Sequence, residues 1–335
     1  MDIIRFQVAR YGVQTPATKA PDDYKTNYAS VPFGAYAWFK GEDPADNRNF
    51  MVNQQISYSP SGNIWAPYGT TFYWPKSGSL DFICYSPYSP GGVPSVSENT
   101  ISYSVWDVGA NPGVDLLYAD KLTGLQQNSY TYYYNGVPVL FRHALSRVSF
   151  SLQLAYSEVT SPTGDKTKWD VTVNSITLKD VRTEGSLDLT LESGSWKLPD
   201  NRVWVPTSAS GNMSLDCSAL VKFTSTDKQA VGEPMLVLPQ ALNLGQKLVI
   251  NMTINTWRDT GSGYGTTPLI TEAEVEVEAP LSGTSLTGWG INQSIQYNLV
   301  LSPSLVDADL KPTQITFDPA VAGWESVTVN AEIKI

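Results

Sequence analysis

Apolar side chains recur at every second position in many short runs of this chain, and that period limits it to strands. Val148, Phe150, Leu152 and Leu154 alternate with Ser149, Ser151 and Gln153, and Leu248, Ile250, Met252 and Ile254 alternate with Lys247, Asn251 and Thr253. Near the start, Ile4, Phe6 and Val8 are separated by Arg5 and Gln7. Ala273, Val275, Val277 and Ala279 stand opposite Glu272, Glu274, Glu276 and Glu278, and the chain closes with Val327, Val329, Ala331, Ile333 and Ile335 against Thr328, Asn330, Glu332 and Lys334. Successive side chains of a strand point to opposite faces, so each run has one buried and one wet face, as an antiparallel sandwich requires. Gly, Pro, Asn, Asp and Ser bound the runs and supply the turns. Helical spacing is nearly absent; a turn or two is expected in 111–124 and another in 141–145. The fold class expected is all-β, with tandem antiparallel β-sandwich domains.

The chain has 335 residues, about twice the size of one common domain. No repeat of fixed period and no flexible linker marks a division, so the boundary is placed where the aromatic tract Tyr130–Tyr134 gives way to the strand around His143. That gives domains of 1–141 and 142–335. With 22 basic against 32 acidic residues, the net charge of −10 disfavours a phosphate backbone or an anionic lipid surface as partner. No apolar run is long enough for a membrane-spanning helix. The first residues carry neither a basic nor an apolar leader region, so if the protein is exported its signal has been removed from this chain.

One histidine, His143, and two cysteines, Cys84 and Cys217, leave almost no raw material for zinc sites or for Ser-His-Asp and Cys-His relays. No enzyme activity and no cofactor or metal is expected. His143 reads as a hydrogen-bonded structural residue, and each cysteine falls in phase with apolar neighbours, as a separate buried thiol. Gly261-Ser-Gly-Tyr-Gly265 lacks the spacing and the strand-to-helix setting of a phosphate loop and reads as a hairpin turn. The acidic clusters at 42–46 and 307–309 match no calcium loop. The four glutamates of 272–278 make one face costly to bury or pair, a means of protecting a sheet edge. The 10 Trp and 18 Tyr are the remaining chemical asset. Trp65, Trp74, Trp106 and Tyr132 are candidate platforms for a glycan, beside the alternative that such rings fill and rim the sandwiches.

Several segments taken together resemble the fimbrillin-like (Mfa-like) pilin family of Bacteroidales type V pili. They are Tyr73-Trp-Pro-Lys76 leading to Leu80-Asp-Phe-Ile-Cys-Tyr-Ser-Pro87; Asp115-Leu-Leu-Tyr-Ala-Asp120; the His143 strand from Pro138 to Val148; and Ile176-Thr-Leu-Lys-Asp180 with Gly185. Met235-Leu-Val-Leu-Pro-Gln240 follows, then Asn292-Gln-Ser-Ile-Gln-Tyr297-Asn-Leu and Trp324. The most specific combination is the His143 strand with the Leu-Pro-Gln turn and the closing Tyr297 and Trp324 segments.

The resemblance implies two transthyretin-like β-sandwich domains in tandem and an outer-membrane lipoprotein precursor. It also implies a cell-surface pilus or fimbria subunit acting in adhesion, with other pilus subunits as partners through donor-strand exchange. Cleavage after a basic residue behind the first strand is part of that picture, with Lys19 and Arg10 as candidates. The removable N-terminal strand would carry Ile4, Phe6 and Val8. The donor strand would carry Val327, Val329, Ala331, Ile333 and Ile335, although a strand at a terminus can equally complete its own sheet. Physics is consistent with exchange: a strand with three large apolar residues re-buries roughly 5–10 kcal/mol on filling an open groove, at about 1.5–3 kcal/mol for each side chain. Host or bacterial surface ligands are further partners, nucleic acid is not, and membrane contact comes only through a lipid anchor. The competing reading is a free-standing surface glycan-binding lipoprotein.

Overall fold

The structure, a computed structural model, describes residues 3–10, 22–23, 30–90, 92–127, 136–191, 203–208, 210–215, 217, 222–283, 286–302 and 314–323. The chain divides into two units, Met1–Leu145 with Glu184–Thr207 and Trp324–Ser326, and Ser146–Thr183 with Ser208–Gly323 and Val327–Ile335. The single cut expected near residue 141 is therefore incomplete. The strand that begins at Glu184 leaves the second half and pairs with Thr100–Asp107 of the first, and pairing across such a distance leaves no local mark in sequence.

In the first unit the strands are β1 (Phe6–Arg10), β2 (Asp22–Asp23), β3 (Phe33–Lys40), β4 (Arg48–Ser59), β5 (Ile64–Pro67), β6 (Ser79–Ser86), β7 (Ser95–Val96) and β8 (Thr100–Asp107). They continue with β9 (Leu117–Ala119), β10 (Leu122–Leu125) and β11 (Val137–His143). The second unit opens with β12 (Ser146–Leu154), β13 (Glu158–Thr160) and β14 (Lys166–Arg182), and the chain then supplies β15 (Glu184–Thr190) and β16 (Val203–Pro206) to the first unit. The second unit resumes with β17 (Ser210–Leu215), β18 (Lys222–Phe223), β19 (Gln229–Val237), β20 (Gln240–Ala241), β21 (Lys247–Asp259), β22 (Ile270–Pro280), β23 (Gly288–Trp289), β24 (Gln293–Ser302) and β25 (Gln314–Gly323).

The first unit is built on a sheet that curls until it meets itself. Strands β6, β3, β4, β5, β1, β11 and β9 are hydrogen-bonded in that order, and β9 pairs back onto β6 through Tyr85↔Tyr118 and Ser86↔Leu117. One face of the curl encloses a core that includes Ile4, Phe33, Ala35, Met51, Trp65, Phe82, Val139 and Phe141. The other face of β6 is covered as well, since Ile83 and Tyr85 are both fully buried. A four-stranded sheet, β16-β15-β8-β7, completes the unit. Its Trp204 donates from Nε1 to the carbonyl of Ala144 at 2.7 Å.

The second unit is a sandwich. One sheet runs β19-β12-β24-β25 and the other β13-β14-β21-β22, with β17 and β18 also on β14. The apolar faces read from the sequence meet between them: Val148, Phe150 and Leu152 of β12, Leu248, Ile250 and Met252 of β21, and Ile295, Tyr297 and Leu299 of β24 share one core with Val171 and Ile176 of β14. Strand β22 pairs with β21 alone among the described residues, so the glutamate-bearing strand is an edge. Glu278 there is drawn to Lys247 and Lys179, and those contacts hold its carboxyl below the usual glutamate range.

Two expectations need correction. Pairing is antiparallel except at β1–β11 and β12–β24, which are parallel. Residues 111–124 and 141–145 do not coil; β9, β10 and the end of β11 occupy them, and the described residues contain only a short 3-10 turn at Pro44–Asp46. All three residues of β9, Leu117, Tyr118 and Ala119, are buried. A strand covered on both faces loses its alternation and reads as an unpatterned apolar run.

Candidate functional site: the seat of the N-terminal strand

Strand β1 lies inside the curled sheet, with β5 on one side and β11 on the other. Its register against β11 is parallel, Phe6↔Val137, Val8↔Val139 and Arg10↔Phe141, and Phe6 also stands opposite Trp65 of β5. Hydrogen bonds just before it fix the entry: the Ile4 amide donates to the Phe72 carbonyl at 2.9 Å, and the Val137 amide donates to the Arg5 carbonyl at 2.7 Å. A single bridge joins Ile3 to Tyr73. Ile4 is fully buried in the core, as its place in the alternation predicts. Arg10, the last residue of β1, pairs with Asp22 of β2.

The seat is lined by aromatic rings. Phe33 lies 5.5 Å from Trp65 and 5.4 Å, edge-on, from Phe141, and Tyr58 lies 5.4 Å from Trp65. Val137, Val139 and Phe141 on β11 are all buried. Taking β1 away would unpair one edge of β11 and one of β5 at once and open this apolar surface to water, which is the condition a replacement strand would relieve.

Lys19, Tyr132 and the strand expected at 327–335 lie outside the described residues. The three tryptophans offered as glycan platforms are not on a surface: Trp65, Trp74 and Trp106 are 0%, 4% and 4% exposed. Their rings fill the first unit, where Trp74 packs edge-on against Phe82 at 6.2 Å and Trp106 against Tyr103 at 6.1 Å. An indole is large enough that burying it contributes more than leaving it as a platform, unless no neighbour covers it.

His143 is buried, with Nδ1 2.7 Å from a carboxylate oxygen of Asp115. Beside it Arg142, also fully buried, reaches Oδ2 of Asp120 from Nε at 3.2 Å and from Nη2 at 3.0 Å. A third group joins Lys121, Asp81 and Asn99, with Nζ of Lys121 2.8 Å from Oδ1 of Asn99 and 3.5 Å from Asp81. Reading the sequence did not foresee the last two groups. The only signal was a pair of aspartates, Asp115 and Asp120, bracketing an apolar run, and that spacing suits a helical turn equally well. Cys84 and Cys217 are both buried, and burial pushes the Cys84 thiol far above its ordinary value.

In the second unit a surface cluster gathers where β14 begins and β21 ends. Tyr264 donates its hydroxyl to Glu158 at 2.7 Å, and the Lys168 ammonium lies 4.3 Å from the Tyr264 ring and 5.6 Å from that of Trp257. The loop read from sequence as a hairpin turn is one: the amides of Gly261 and Gly263 both donate to Oδ1 of Asp259, at 2.8 and 2.7 Å.

A model of the fimbrillin-like family matches residues 18–324. The chain belongs to the fimbrillin-like family. A comparison with curated proteins gives no match. Among solved structures, this fimbrillin-like chain is similar to a candidate cell adhesion protein from Bacteroides uniformis, at 13% identity and a TM-score of 0.53, over 96% of this chain and 98% of that one. It is also similar to a candidate cell adhesion protein from Bacteroides ovatus, at 13% identity and a TM-score of 0.49, over 98% and 99% of the two chains. The tip fimbrial protein Mfa3 of Porphyromonas gingivalis, with a C-terminal truncation, matches at 8% identity and a TM-score of 0.41, over 96% of this chain and all of that one. At such identities the first likeness bears on the fold, and the family match carries the assignment. No helix among the described residues is long and apolar enough to cross a membrane.

Proposed function

We propose that this fimbrillin-like chain is a structural subunit of a cell-surface fimbria acting in adhesion, and that it assembles by strand exchange after cleavage behind β1. Family membership over residues 18–324 is the observation that carries this reading. The seat of β1 is consistent with it: the strand pairs with β5 and β11, whose Trp65 and Phe141 are buried together with Phe33 in the core of the first unit. Lys19 and Arg10 are the proposed processing positions. The segment carrying Val327, Val329, Ala331, Ile333 and Ile335 is the proposed donor to the next subunit, with export as a lipoprotein precursor. The burial of Trp65, Trp74 and Trp106 removes three of the four aromatic residues on which the glycan-binding alternative rested.

The test is cleavage of the full chain by a protease that cuts after Lys or Arg, followed by an excess of a peptide with the sequence of 327–335. Stable binding of the peptide to the cleaved chain, growth of polymers from the cleaved chain alone, and loss of those polymers on deleting 326–335 are the expected results. A cleaved protein that stays monomeric and takes up no peptide overturns the proposal.

A further inference from the structure

In the first unit the Lys121 side chain is 9% exposed, and its Nζ lies 2.8 Å from Oδ1 of Asn99 and 3.5 Å from Oδ2 of Asp81. Lysine is almost never buried to that extent without partners, so this arrangement needs an account. Each of the three groups is held from a different direction. Asp81 belongs to β6, is 7% exposed, and accepts the Gly124 amide at 2.8 Å on the oxygen that does not face the lysine. Asn99 sits in the turn between β7 and β8, where its carbonyl accepts the Leu191 amide at 2.7 Å and its neighbours Ser97 and Thr100 share a hydroxyl contact of 2.7 Å. Lys121 leads directly into β10.

We propose that Lys121 and Asn99 are the two ends of an intramolecular isopeptide cross-link, with Asp81 as the proton carrier. The reaction needs no oxidant and no second substrate. The step begins with transfer of a proton from the Lys121 ammonium to the Asp81 carboxylate, whose Oδ2 lies 3.5 Å away. The free Nζ lone pair attacks Cγ of Asn99 and a C–N bond forms. The bond from Cγ to Nδ2 breaks, Nδ2 takes up the proton returned through Asp81 together with the one lost from Nζ, and it leaves as ammonium while Asp81 is restored as carboxylate. Three features suit the geometry to this step. The amine is held against the amide rather than pointing into water. The carboxyl lies on the amine, where a proton carrier must be. Nζ lies 2.8 Å from the oxygen borne by Cγ, so the amine is already beside the carbon it attacks, and holding reactants together in this way makes an intramolecular attack fast. The bond would join the turn ahead of β8, in the four-stranded sheet, to the strand beside β6 in the curled sheet, and so fasten the two sheets of this unit covalently.

The experiment is intact-mass measurement of the purified full chain, with peptide mapping after trypsin. The expected mass falls below that of the sequence by one ammonia, trypsin fails to cut after Lys121, and a branched peptide joins Lys121 to Asn99. Lys121→Arg and Asn99→Ala each restore the sequence mass, as does Asp81→Asn, provided near-ultraviolet circular dichroism shows the variant folded. A chain at its full sequence mass that is cut after Lys121 overturns the proposal. So does an ammonia deficit that persists in Lys121→Arg, because it must then arise at another site. Neither result depends on whether the protein polymerises.

Discussion

The guanidinium of Arg142, fully buried on β11, is bonded through Nε and Nη2 to a single oxygen of Asp120, at 3.2 and 3.0 Å. Two consecutive residues of that strand, Arg142 and His143, thus direct buried polar groups toward the two aspartates of the same short segment. Breaking a buried ion pair from one side leaves an uncompensated charge, at a cost of about 3–5 kcal/mol. Asp120→Ala is expected to lower stability by about 3 kcal/mol, the low end because Asp120 keeps 22% of its side chain exposed. Chemical denaturation followed by tryptophan fluorescence reads the change, and Asp120→Ala with Arg142→Met should recover part of it. Full stability in the single variant would show that the pair does not bear on the fold.

Ile4 precedes β1 and is fully buried among the aromatic residues of the first unit. Ile4→Ala should cost about 2–5 kcal/mol and Ile4→Val about 0.5–1.5 kcal/mol, following the volume removed from a packed core. The same denaturation curves measure both. Equal, negligible losses would mean that this end of the chain contributes nothing to the core.

Gly34 on β3 has no room for a side chain. A methyl there would lie 2.2 Å from the Tyr85 ring, which is itself fully buried and donates its hydroxyl to Asn53 at 2.6 Å. Gly34→Ala must displace that ring, and overpacking of this kind costs about 1–3 kcal/mol. Thermal unfolding is expected to shift downward. Gly34→Ala with Tyr85→Leu should shift less than the two changes added together, since the second removes the clash.

Tyr264 and Glu158 perturb each other through one hydrogen bond. Donation from Tyr264, with Lys166 close by, holds the Glu158 carboxyl below the usual glutamate range, while desolvation and the Glu158 carboxylate push the Tyr264 phenol up to about 12. A carboxylate whose folded value is depressed contributes stability above its unfolded value and loses it as pH falls through the folded one. A phenol whose value is raised contributes below about 10 and loses that contribution as pH rises toward its folded value. Tyr264→Phe should therefore raise the Glu158 midpoint toward that of an ordinary glutamate, read by carbon-detected NMR titration of the side-chain carboxyl. An unchanged midpoint would show that the hydrogen bond is not formed in solution.

Alternation at period two is a local property, set by one face meeting the core and the other meeting water. It was legible wherever a strand has that environment: Val148 to Leu154 in β12 and Leu248 to Ile254 in β21 bury the residues that the pattern marks. The all-β class, the burial of Ile4 and both cysteines, and the edge position of the glutamate strand were open to the same reasoning.

What the tertiary structure decided is what depends on partners remote in sequence. Strand β9 is covered on both faces and so carries no alternation, and β15 returns to a unit that the chain had already left. Parallel pairing of β1 with β11 joins segments more than a hundred residues apart, and no local signal distinguishes it from an antiparallel edge. Trp65, Trp74 and Trp106 became core because neighbours cover them, and a ring's identity does not state its surroundings. The approach of Lys121 to Asn99 and Asp81 follows from the packing of two sheets, whereas the sequence by itself determined which strands could form and which of their faces would seek the core.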